Sequence, residues 1–153
     1  MILISHRGNI NGIDIDNENK IMYIIDTINK GFDVEIDLWY NKDTKMFKLG
    51  HNSPEYNVTT DFLYDNKNYL WIHCKNFECL NVLYNTDLNY FSHDIDPHIL
   101  TSKGFIWTYP GNIATTSNSV LVVRDCDEMP AHIISDNTYA ICGDNYSNFK
   151  HLM

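Results

Sequence analysis

The chain is short of positive charge, of long apolar runs and of paired cysteines, and each shortage excludes something. Eleven Lys and Arg stand against twenty Asp and Glu, a net charge of −9. A protein that follows many phosphates of a polynucleotide needs a basic face, so no nucleic acid is expected as a partner. A small anion stays open as a ligand, because a metal ion or a few placed cations outvote the global field locally. No run is apolar enough to give a transmembrane segment. The opening MILISHRG lacks the basic and long apolar regions of a signal peptide. The four cysteines, Cys74, Cys79, Cys126 and Cys142, include no CxxC pair. They read as reduced thiols packed as small hydrophobes, with disulfides the alternative, and a cytoplasmic location is the expectation. No repeat, low-complexity stretch or linker interrupts the sequence, so residues 1–153 are expected to form a single domain.

What is present is an ordinary globular composition, 44% hydrophobic with 13% aromatics, on a chain long enough to bury a core. Ile2 to Ser5 reads as a first strand. In KIMYIIDTINKG, Lys20 to Gly31, the residues Ile21, Ile24, Ile25 and Ile28 fall at helical spacing, and Gly31 suits the position after a helix end. DVEIDLWY, Asp33 to Tyr40, alternates as a strand does, and MFKLGH follows as its hairpin partner. NYLWIHCKN, Asn68 to Asn76, is a further strand, and FECLNVLYN a short helix. NYFSHD, GFIWTYPG, SVLVVRD, AHIISDN and YAICGDN read as later strands. Strands interleaved with helices predict an α/β fold with a largely parallel sheet. A complete eight-fold barrel needs at least about 200 residues, so a trimmed barrel or a small open sheet is expected.

Several strands end in polar groups. The first ends in His6 and Arg7. Glu35 and Asp37 share one strand face, as do His73 and Lys75, and His51 follows Gly50. In parallel α/β sheets the C-terminal strand ends form the reactive rim. Two adjacent carboxylates repel, and a divalent cation relieves that. Imidazoles titrate near neutrality and serve as general acid and base. Arginine and lysine hold phosphate oxygens. Each residue also has a plainer reading. Glu35, Asp37, His73 and Lys75 fit the solvent face of half-buried strands, with Val34, Ile36 and Leu38 inward. His51 fits a turn, and His93, Asp94 and His132 fit ordinary loops or strands. The inference rests on the joint spacing.

HRG at His6 to Gly8, EID at Glu35 to Asp37, GHN at Gly50 to Asn52 and IHCK ending at Lys75 occur in this order. The ordered set resembles the glycerophosphodiester phosphodiesterase family, whose framework the venom phospholipase D toxins share. Glu18 and Asn19 stand where the family often has a Glu-Asn pair, and GFIWTYPG and ICGDN look like its late strands. The resemblance implies a trimmed TIM-type (β/α) barrel with several helices shortened or missing. It implies metal-dependent cleavage of a small glycerophosphodiester, with His6 and His51 as the acid–base pair. Arg7 and Lys75 are the implied phosphate contacts, and Glu35, Asp37 and His73 the implied metal ligands. The ion would be Mg²⁺ or Ca²⁺. His73 stands where the family usually has an acid, which weakens those ions and favours Mn²⁺ or Zn²⁺. Three activities are therefore in play: hydrolysis, phosphodiester binding without turnover, and a lyase reaction giving a cyclic phosphate. The last would need an exposed apolar patch for lipid, for which FIWTYP around Trp107 and Tyr109 is the candidate, with core packing as its alternative.

Overall fold

The computed structural model describes residues 1–113, 116–123 and 137–147. Its strands are β1 (Ile2–His6), β2 (Asp33–Asn41), β3 (Met46–Leu49), β4 (Tyr56–Val58), β5 (Leu70–Cys74), β6 (Tyr90–Phe91), β7 (His98–Leu100), β8 (Ile106–Thr108), β9 (Ser119–Val122) and β10 (Ala140–Gly143). The helices are α1 (Ile21–Asn29), α2 (Thr60–Asp65) and α3 (Phe77–Leu83). The strands β6, β5, β2, β1, β10, β9 and β8 lie side by side in that order, each parallel to the next. β7 closes one edge antiparallel to β8. The sheet curls, and with so few helices it is a partly wrapped α/β arrangement. Residues 131–136 of the AHIISDN segment, with His132, and Cys126 lie outside the described residues.

β2 is long enough to serve three neighbours. The carbonyls of Glu35 and Asp37 point to one edge, where Arg7 and Gly50 donate to them in turn at 2.9 and 3.1 Å. β1 therefore pairs with the start of β2, and β3 takes over the same edge beyond it. β5 occupies the other edge. That arrangement brings the loops after β1, β3 and β5 to one place.

The two faces of β2 bury different things. Val34, Ile36 and Leu38 are fully buried beneath the helices with Ile24, Leu63, Leu70, Ile72 and Leu83. Each such burial contributes roughly 1.5–3 kcal/mol. Glu35 and Asp37 point to the concave side and are 2% and 1% exposed, so the solvent-face reading of this strand fails. The sheet is covered on both sides, and the alternation separates a helix-packed face from a polar interior instead of a core from water. Ile4, Trp71, Phe91, Trp107, Val120, Ala140 and Cys142 form an apolar floor inside the curl. Cys74 and Cys79 are free thiols, and both are buried, as is Cys142.

α1 matches its periodicity, with Ile24 and Thr27 buried, and Gly31 takes the left-handed conformation after it. Thr59 and Asn76 cap α2 and α3, each accepting from the backbone N–H three residues on. The strand of NYFSHD is shorter than its sequence pattern, ending at Phe91 and leaving His93 in the loop beyond. β4, α2 and β7 carry too few residues for a period to show.

Candidate active site

On strand after strand, an apolar floor residue is followed two positions later by a polar one. Ile4 precedes His6, Trp71 precedes His73, Phe91 precedes His93, Trp107 precedes Tyr109 and Cys142 precedes Asp144. Side chains two apart share a face, so the polar set forms a layer above the floor, at the C-terminal ends of the parallel strands. Ladder register adds the lateral order: His6 lies beside Glu35, Asp37 beside His73, and His73 beside Phe91. A cleft of about 420 Å³ opens there, lined by His6, Arg7, Glu35, His51, His73, Lys75, His93, Tyr109 and Asp144 among others. Of the residues singled out by sequence, His6, Arg7, Glu35, His51, His73 and Lys75 line it, and Asp37 lies directly beneath.

Asp37 is the hub. Its Oδ2 accepts from Asn19 Nδ2 at 3.0 Å, is 3.2 Å from His51 Nδ1 and lies 3.0 Å from Arg7 Nε. Its backbone N–H donates to Asn19 Oδ1 at 3.0 Å, so Asn19 clamps it from both sides. Its Oδ1 has Lys75 Nζ and His73 Nδ1 each at 3.3 Å, but no hydrogen bond satisfies it. Burial alone would raise this carboxyl. The close approach of the His51 and His73 rings and the charges of Arg7 and Lys75 outweigh burial and hold it well below the usual carboxylate range.

Glu35 behaves in the opposite way. Burial, and next the negative charge of Asp37, push its pKa up. Its Oε2 is buried without a hydrogen bond, and its Oε1 lies 3.8 Å from His73 Nδ1. One oxygen each from Glu35 and Asp37 and one nitrogen from His73 lie within 4.8 Å of one another. Two buried carboxylate oxygens that no well-formed hydrogen bond satisfies, beside an imidazole, fit a divalent cation. Such an ion would also relieve the repulsion that raises Glu35.

Both sequence-selected histidines are backed by a carboxylate. His6 Nδ1 lies 2.9 Å from Asp144 Oδ1, which Asn9 also bonds at 2.8 Å. This turns His6 Nε2 toward Glu35 Oε2, at 3.9 Å. Burial works to lower the His6 pKa, but Asp144 and Glu35 raise it above the ordinary histidine value. His51 Nδ1 faces Asp37, while its Nε2 lies 3.3 Å from Arg7 Nη2. A guanidinium only donates. His51 is thereby held as the tautomer with its proton on Nδ1 and its lone pair on Nε2.

The loop after β1 holds these parts in place. Arg7 itself is left-handed, with φ 57°, a conformation costly for a side chain of this type and frequent at functional sites. Its N–H bonds the Glu35 carbonyl, its carbonyl accepts from Asn19, and its Nη1 bonds Glu18 at 3.2 Å. Gly8 follows at φ 97°, where a Cβ would sit 2.5 Å from the Tyr23 ring. Gly50 is tighter still, since a Cβ there would lie 2.1 Å from the Ser53 carbonyl oxygen. Trp39 Nε1 bonds the Gly50 carbonyl at 2.6 Å and fixes the loop that carries His51.

Sequence reading gave His93 no special place, yet its ring stacks on His73 at 4.8 Å and meets the edge of Tyr109 at 5.3 Å. Burial, then the neighbouring His73 and Lys75, lower its pKa. Phe91 also stacks on His73, at 5.2 Å, and lies 6.4 Å from His93. Phe91–His93 repeats the Trp71–His73 pattern, and that was the available signal. Trp107 is packed into the floor, 4.5 Å from Phe91, so the indole of FIWTYP is core and not a lipid contact. No protein-family model, curated protein or solved structure matches the chain.

Proposed function

We propose that the chain is a divalent-metal-dependent phosphodiesterase of the glycerophosphodiester phosphodiesterase type, on a trimmed TIM-type barrel. The reading rests on one observation above all. Two carboxylate-backed histidines line the same cleft as a buried Glu, Asp and His cluster with orphaned oxygens. Glu35, Asp37 and His73 would hold the ion, which supplies charge to offset the phosphoryl oxygens.

The chain's own residues divide the remaining work. Lys75 and Arg7 receive the anionic phosphodiester. Arg7 then exchanges part of its contact with His51 for the phosphate, and the lone pair on His51 Nε2 is released to take a proton from the attacking hydroxyl. His6, whose pKa Asp144 and Glu35 raise, gives a proton to the departing alkoxide. If the attacker is water, a monoester results. If it is a neighbouring hydroxyl of the substrate, the product is a cyclic phosphate.

A second reading, binding without turnover, is favoured by the crowding of Asp37. Arg7, Lys75, His51 and His73 already surround this carboxylate, so an ion must compete with fixed cations. Phosphorus NMR separates the readings. The protein is incubated with glycerophosphocholine, glycerophosphoethanolamine or lysophosphatidylcholine and Mg²⁺, Mn²⁺, Zn²⁺, Ca²⁺ or EDTA. A new monoester or cyclic signal that EDTA removes supports the enzyme. No new signal with any ion, alongside saturable ligand binding, supports the binding module.

A further inference from the structure

Five large apolar side chains stand in water after strands whose ends form the cleft: Ile13, which lines it, and Ile15, Phe77, Ile95 and Ile113. Their exposure runs from 64% at Ile13 to 85% at Ile95. Ile13 and Ile15 follow β1, Phe77 follows β5, Ile95 follows β6 and Ile113 follows β8. All these strands are parallel, so all five residues leave the same end of the sheet, the end where the cleft opens. Among the described residues, every exposed isoleucine lies on these loops. The other described isoleucines are buried or half-buried, all but Ile10 in strands or α1. Single exposed apolar residues are ordinary, but a set that rims one cleft marks a contact surface.

The charge among them narrows the partner. Loop residues 11–19, 92–97 and 110–113 contain no lysine or arginine, and they expose Asp16, Asp94 and Asp96. An acidic rim on a chain of net charge −9 is repelled by anionic lipid. It complements a surface whose outermost groups are ammonium and whose phosphodiesters lie just beneath. We infer that the isoleucine rim seats the cleft on a zwitterionic phospholipid surface, so that the phosphodiester cleaved is that of an aggregated choline or ethanolamine lipid. The substrate half of this inference rests on the phosphodiesterase reading. The docking half stands on the rim alone.

Geometry favours this division of labour. The cations that receive phosphate, Arg7 and Lys75, sit inside the cleft with side chains 16% and 15% exposed. The isoleucines project outside it. Apolar side chains entering the headgroup–acyl boundary would lower the mouth onto the lipid, and the interior cations would meet only the phosphate admitted to the cleft.

The test uses sedimentation with vesicles in EDTA, where turnover is stopped. Phosphatidylcholine vesicles should retain the protein, and phosphatidylglycerol vesicles should retain it less. The I95N/I113N double variant, which replaces no residue lining the cleft, should lose at least tenfold in vesicle affinity. With metal restored, the variant should turn over soluble glycerophosphocholine as the parent does, but lose activity on lysophosphatidylcholine above its micelle concentration. Equal retention of parent and variant, stronger binding to phosphatidylglycerol, or a rim change that alters only the oligomeric state would each overturn the proposal. Vesicle retention without any turnover would instead remove the phosphodiesterase reading and leave the docking surface standing.

Discussion

At the scale of single residues, the site sets two histidines in different states by giving them different neighbours. His6 has carboxylates near both ring nitrogens, whereas His51 has a carboxylate on one side and a guanidinium on the other. His6→Ala and His51→Ala should each remove turnover while leaving the circular dichroism spectrum unchanged. Asp144→Asn should lower kcat by roughly 10²–10⁴-fold, the range of general acid–base catalysis, and shift the alkaline limb of the pH–rate profile to lower pH, because the group that raises His6 most is gone. An unchanged alkaline limb would detach Asp144 from His6. Much of this was legible in the sequence. The pairs Glu35/Asp37 and His73/Lys75 sit two apart, and period two forces a shared face. The choice of face was not legible, because a strand covered on both sides alternates just as a half-buried one does. His93 stayed hidden since its strand, β6, spans only Tyr90–Phe91, too short for a period. Asp144 carried a signal only as part of ICGDN, a segment singled out for its resemblance and not for its charge. Nothing in the spacing ties it to a histidine 138 residues earlier.

At the scale of elements, the tight loops after β1 and β3 carry the chemistry, and glycine lets them close. Gly50→Ala should destabilise the protein by several kcal/mol, read as a fall in the denaturation midpoint, since the new Cβ meets backbone at Ser53. Gly12 also has positive φ, but a Cβ there meets nothing within 4 Å. Gly12→Ala should therefore cost less, about 1 kcal/mol for the backbone conformation alone. Equal midpoints for the two variants would show that the steric contact at Ser53 is relieved cheaply. α3 offers a second case. Asn76 caps the helix and also bonds both the N–H and carbonyl of Tyr40. Its replacement by alanine should exceed the ~1 kcal/mol of an ordinary cap, because it also unties β2 from α3. The helix of Ile21–Asn29 was readable from its apolar spacing, while α2 was not, being six residues long and held by Thr59 and the burial of Leu63.

At the scale of the whole molecule, the buried charges give stability a pH dependence of known sign. The lowered pKa of Asp37 contributes stability that is present above the unfolded value, about 3.9, and lost as pH falls through its folded value. The raised pKa values of Glu35 and His6 act the other way. Their contributions are full below the unfolded values, about 4.3 and 6.5, and fade as pH rises through the folded ones. Denaturation midpoints should thus fall toward acid pH and also from about pH 6.5 upward, and His6→Asn should flatten the second decline. A metal that binds Glu35, Asp37 and His73 should add about 2.7 kcal/mol at a hundredfold excess over its Kd, and Glu35→Gln should abolish the gain in thermal scans. Finally, β10 lies beside β1 although it comes far later in the chain, and Tyr146 bonds the carbonyls of Ile4 and Ile141. A ribosome makes His6 well before its carboxylate partner, which follows 138 residues later. The helix-packed half, built from residues up to Leu88, has all its parts before β10 exists. Each newly made copy would pass through a stage with a packed core and both histidines, but with His6 still lacking its carboxylate, and would gain its chemistry only once β10 and Asp144 have emerged.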